Sequence, residues 1–141
     1  MSELTAHVDV PLDARAPAAA RNAVRAVLSG WRLTDRDWLN CTTVVVSELV
    51  TNAVRHGGGC LAVQVSAHDR QVTVKVADGS SVAPRRREAG RDDLGGRGVQ
   101  IIEALTERWG VEEHEGGKRV WALLPPCPAE PAEQAEQADT S

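Results

Sequence analysis

The chain reads as an α+β protein, a two-layer sandwich with helices on one face of a mixed, mostly antiparallel sheet. Three observations predict this. Two successive stretches carry apolar residues at helical spacing: Ala20, Val24, Val27, Leu28 and Trp31, then Leu39, Val46, Leu49, Val50 and Ala53. Two later pairs of short segments alternate apolar and polar residues with the period of a strand. A third helical pattern, with Ile101, Ile102 and Leu105 inward, separates those pairs.

In order, Leu4 to Val10 predicts a first strand, with His7 and Asp9 alternating against Val8 and Val10. Pro17 suits the first turn of a helix, where a fixed φ and a missing N–H cost little, and Gly30 is expected to end that helix. Thr34 is the expected N-cap of the second helix, with Asp35 and Asp37 near its positive end. Gly57-Gly58-Gly59 stops it, because glycine accepts the left-handed backbone of a helix end. Leu61 to Ala67 and Gln71 to Asp78 form a hairpin through His68-Asp69-Arg70. Val72, Val74, Val76 and Asp78 share one face of its second strand. Residues 79–96 lose periodicity and gain charge and glycine, which predicts a mobile loop. A helix over Gly98 to Arg108 follows, then a hairpin of Trp109 to Glu113 and Lys118 to Leu124 around Gly116-Gly117.

Composition bounds the function. With 141 residues and 42% hydrophobic content, one domain is expected over residues 1–124. Residues 125–141 form a Pro/Ala/Glu/Gln-rich tail expected to be disordered. Glu130, Glu133, Glu136 and Asp139 account for the whole net charge of −4, so the remainder is neutral. A neutral domain has no general electrostatic reason to bind nucleic acid or an acidic membrane. Cys41, Cys60 and Cys127 are odd in number and include no CxxC pair, and no apolar run reaches signal-peptide or transmembrane length. The expected compartment is the cytoplasm.

Three groups of residues carry chemistry. Glu48 and Asn52 are four apart on the second helix and share a face beside Leu49, Val50 and Ala53. The amide oxygen is a hard ligand suited to Mg²⁺, and the carboxylate can accept a proton. Spacing alone fits a solvent-facing helix edge as well. Asp78 ends a strand on the same face as three valines. A buried carboxylate needs a partner, and an exocyclic amine such as that of adenine is one; capping a turn with Gly79 and Ser80 is the alternative. Gly95-Gly96-Arg97-Gly98 stands immediately before a helical pattern, where free N–H groups and the helix dipole suit phosphate. No GxxxxGK[ST] is present, so this is not a P-loop. His56 at a helix end and Arg85-Arg86-Arg87 read more simply as a dipole partner and a solvated loop.

In this order the elements resemble a known family. Ser47 to His56 is similar to the N box of Bergerat-fold ATPases and kinases, Asp78-Gly79 to their first glycine box, and Gly96-Arg97-Gly98 to the second. The short chain, with Trp109-Gly110 and Gly116 to Trp121 near its end, resembles the anti-sigma-factor serine kinases over roughly residues 4–124. The resemblance implies the Bergerat, histidine-kinase-type ATPase fold. It implies ATP and Mg²⁺ as ligands, with Asn52 holding the metal and Asp78 and Gly79 meeting adenine. It places Gly96, Arg97 and Gly98 at the phosphates and makes Glu48 the general base. Residues 80–94 would be the ATP lid. The implied partners are a sigma factor and an antagonist protein phosphorylated on serine; a homodimer is left open. A binding module that uses nucleotide only to control a partner's release is the other reading. Ser80 and Val82 depart from the Asp-x-Gly-x-Gly pattern, and Arg119 stands where relatives commonly place the Thr that supports the adenine site.

Overall fold

The computed structural model describes residues 3–11, 13–56, 60–78, 96–114 and 117–129. The chain runs β1 (Glu3–Val8), α1 (Ala16–Gly30), α2 (Arg36–His56), β2 (Cys60–His68), β3 (Gln71–Asp78), α3 (Gly96–Leu105), β4 (Arg108–His114) and β5 (Gly117–Leu123). The strands form one sheet in the order β1-β2-β3-β5-β4, and every neighbouring pair is antiparallel. The element order and the α+β class are those expected from the periodicities, with no parallel pair among the described residues.

Alternation along the strands sorts the sheet's two faces. Val63, Val65, Ala67, Val72, Val74, Val76, Val120 and Ala122 are buried in one core with the helices. Their partners in α1 are Ala16, Ala20, Val24 and Leu28, a strict i, i+4 row. α2 buries two rows, Trp38, Thr42, Val45, Leu49 and Asn52, and Leu39, Thr43, Val46, Val50 and Ala53. Each fully buried aliphatic side chain contributes about 1.5–3 kcal/mol relative to exposure, so a Val-rich core holds this sheet with little aromatic help. Trp121 lies on the other face, its ring 2.8 Å from where a Cβ on Gly110 would be, so only glycine fits beneath it.

Helix ends differ from expectation in instructive ways. α1 does stop at Gly30, yet the left-handed residue is Arg32, with φ 64°. The Leu33 amide bonds the Leu28 carbonyl at 2.9 Å and the Arg32 amide bonds Ser29 at 3.0 Å. This is the Schellman arrangement; the buried Leu28 and Leu33 offset the roughly 1 kcal/mol that a non-glycine residue loses there. α2 is capped by Asp35, not Thr34: its Oδ2 accepts the Trp38 amide at 3.0 Å. α3 begins at Gly96 and ends at Leu105, so the two glycines belong to its first turn and not to a loop before it.

The chain does not leave the domain at Leu124 as expected. Trp38 Nε1 donates to the Pro125 carbonyl at 2.7 Å, and Arg70 donates to the carbonyls of Cys127 and Pro128 at 2.7 and 2.6 Å. Cys127 is buried. The apolar Pro-Pro-Cys-Pro run thus packs on the domain as far as Ala129, and the rest of the expected tail, residues 130–141, lies outside the described residues.

Candidate functional site

Three elements bring their chemistry to one end of the molecule. A cavity of about 530 Å³ marks the opposite end, lined by Trp38, Cys41 and Thr42 of α2 and by Ala104 and Leu105 of α3. It identifies the side of α2 that faces α3 and shows that the helices run antiparallel. Glu48 lies two turns beyond Cys41 on that side, and Asn52 four turns beyond Trp38. From Leu105 back to Gly96 is roughly 13 Å along α3 at 1.5 Å per residue, which brings the first turn of α3 level with Glu48 and Asn52. β3 points the same way. Its first residue, Gln71, bonds Glu107 just past α3 at 2.8 Å and the Leu124 carbonyl at 3.4 Å. Its last residue, Asp78, is therefore at the end where α3 starts.

The side chains at this end are not those of a solvent-facing edge. Asn52 is 5% exposed, and among the described residues its Nδ2 finds no hydrogen-bond partner. A buried amide left unbonded costs about 1–3 kcal/mol, and a half-turn about Cβ–Cγ lets it present a donor or an acceptor at the same place. Glu48 on the same face is half-buried. Asp78 is buried on the core face beyond Val72, Val74 and Val76, as its strand register predicts. The backbone N–H groups of the first turn of α3 have no partner within the helix. Gly96 and Gly98 themselves add no side chain there, and N–H groups at a helix start suit an anion. Gly79 and the expected lid lie outside the described residues.

One residue of this end was missed by sequence reasoning, and one was misplaced. Alternation from Val120 and Ala122 puts Lys118, 8% exposed, on the core face. Its Nζ stands 3.8 Å from Asp78 Oδ2. Arg119, expected to bear on the adenine site, points to the opposite face. There its Nε donates to Glu112 Oε1 at 2.7 Å beside the small pocket formed with His7, Gln64 and Lys75. Counting back by twos from Ala122 and Val120 of β5 would have found Lys118.

The donor set fits Mg²⁺ held jointly with phosphate. Among the described residues no three His, Cys, Asp or Glu side chains gather into a metal cage. Mg²⁺ dehydrates reluctantly and takes one or two protein oxygens plus substrate phosphates, and the amide oxygen of Asn52 would supply one such ligand.

The sequence model of the histidine kinase-like ATPase domain matches residues 10–124. The chain belongs to this family. A histidine kinase-like ATPase domain implies ATP binding, and the end where α2, β3 and the start of α3 meet is where this chain gathers an amide, two carboxylates and N–H groups that have no partner within the helix. No curated protein matches the chain. No helix among the described residues is long and apolar enough to cross a membrane.

Proposed function

We propose that this histidine kinase-like ATPase domain is a protein-serine kinase of the cytoplasm that controls a sigma factor by phosphorylating an antagonist protein. The observation that supports it is the shared side of α2: a half-buried carboxylate, Glu48, stands one turn from a buried amide, Asn52, whose Nδ2 has no partner among the described residues, level with the start of α3. In this reading Asp78 accepts a hydrogen bond from the adenine amine. Asn52 and the ATP phosphates would hold Mg²⁺, which would neutralise charge on the phosphates. The N–H groups of Gly96, Arg97 and Gly98 bind phosphate oxygens. Glu48 takes the proton of the substrate serine while the serine oxygen bonds to the γ-phosphorus. The bond from that phosphorus to the β–γ bridging oxygen breaks, leaving ADP and phosphoserine.

Glu48→Gln tests the roles. It keeps shape and hydrogen bonding but cannot accept the proton. Calorimetry should give an ATP affinity close to wild type. Radiolabelled transfer to the antagonist, identified by co-purification, should fall ~10²–10⁴-fold, the usual worth of a general base. Full transfer by Glu48→Gln removes Glu48 from the mechanism, and loss of both properties makes it a structural residue.

The second reading is a non-catalytic module whose nucleotide only gates capture of a partner. The Lys118 ammonium beside Asp78 favours it, because a cation there competes with the adenine amine for the same carboxylate. In that case Glu48→Gln leaves partner capture unchanged and no phosphate transfer occurs in either protein.

A further inference from the structure

The Asp78–Lys118 pair carries an inference that rests on the nucleotide-binding reading above and extends it to the choice of base. The two side chains are 2% and 9% exposed, yet Nζ and Oδ2 stand 3.8 Å apart. A charge-assisted N–H···O bond closes to about 2.7–2.9 Å, so this pair attracts without hydrogen-bonding. Burying both ions carries a desolvation penalty that their attraction must offset. An ammonium has three donors and a carboxylate about four acceptor sites, so each can serve a further partner. The pair presents an acceptor and a donor side by side at the end of β3.

We propose that Lys118 extends the base specificity of this site to 6-oxopurine nucleotides, so that GTP and ITP bind as well as ATP. Purine position 6 decides the matter. Adenine carries an amine there, a donor; guanine and hypoxanthine carry an oxygen, an acceptor. Asp78 alone satisfies the amine and repels the oxygen. With Lys118 beside it, the oxygen of a 6-oxopurine in the same pose meets the ammonium instead. A buried polar group left unpaired weakens binding by ~10–100-fold, and Lys118 removes that loss for the 6-oxo group. Arg119 cannot do this, because it emerges on the other face of the sheet with Glu112.

Calorimetric titration of the full chain with Mg-ATP, Mg-GTP and Mg-ITP tests the proposal. ITP isolates position 6, since hypoxanthine lacks the 2-amino group of guanine. Wild type should bind all three within ~10-fold of one another, because each position-6 group finds a partner. Lys118→Met should bind ATP as well as wild type or better and weaken GTP and ITP by ~10–100-fold. Lys118→Arg should restore both. If Lys118→Met does not fold, Lys118→Thr gives the same comparison, and the wild-type ratio stands without either variant. ATP binding with GTP and ITP ~100-fold or more weaker in wild type overturns the inference and leaves the ATP site standing. So does an unchanged ratio in the Met variant. Failure of all three nucleotides to bind overturns the nucleotide reading itself and this inference with it.

Discussion

Asn52 and Asp78 are both polar, both 5% exposed, and set for different tasks by what surrounds them. The carboxylate has a cation 3.8 Å away, whereas one end of the amide has no protein partner among the described residues. Asn52→Ala should therefore fold, since no hydrogen bond donated by Nδ2 to a described residue is lost. In calorimetry it should weaken Mg-ATP by about 10–100-fold, the worth of one buried contact to a charged group. An unchanged affinity would exclude Asn52 from the site. The i, i+4 spacing of Glu48 and Asn52 was readable in the sequence, but their depth was not. Spacing fixes which residues share a helix face; burial depends on where the partner helix lies. The partner of Asp78 was hidden for a related reason. Lys118 is 40 residues away along the chain and meets Asp78 only through the pairing of β3 with β5.

Among the elements, α2 shows what periodicity reveals and what it does not. Its apolar rows predict a helix, and the helix forms. Its start depends on one side-chain hydrogen bond, which composition allows to either Thr34 or Asp35. Asp35 wins because it directly precedes the first helical residue and its carboxylate reaches the third amide, that of Trp38. Asp35→Ala should cost about 1 kcal/mol in a urea unfolding curve. Thr34→Ala leaves the Asp35 cap in place, so the start of α2 should keep its helicity in that variant and lose it in Asp35→Ala, and the reverse would contradict the assignment. α3 was misjudged by two residues at its start because glycine is a poor helix interior residue. In a first turn the penalty matters less, since those N–H groups have no helical partner in any case. The strands were easier to read, because period-two alternation of burial runs through both β3 and β5.

For the whole molecule, the two ends of the helical layer do different work. One end is closed by the C-terminal run, where Trp38 and Arg70 tie down Pro125, Cys127 and Pro128. That closure was illegible in the sequence, because Pro-rich composition resembles that of a disordered tail and its hydrogen bonds come from residues 87 and 57 positions away. The other end gathers the N-terminal turn of α3, the last residue of β3 and the Glu48–Asn52 side of α2, and the proposed function assigns it as the nucleotide end. Isothermal calorimetry of Mg-ATP into the full chain, with and without Mg²⁺, tests that assignment most directly. It should give a saturable one-to-one binding heat that weakens when Mg²⁺ is removed and again in Asn52→Ala. The absence of any heat or thermal shift at millimolar ATP, weaker than about 4 kcal/mol of binding free energy, would contradict it.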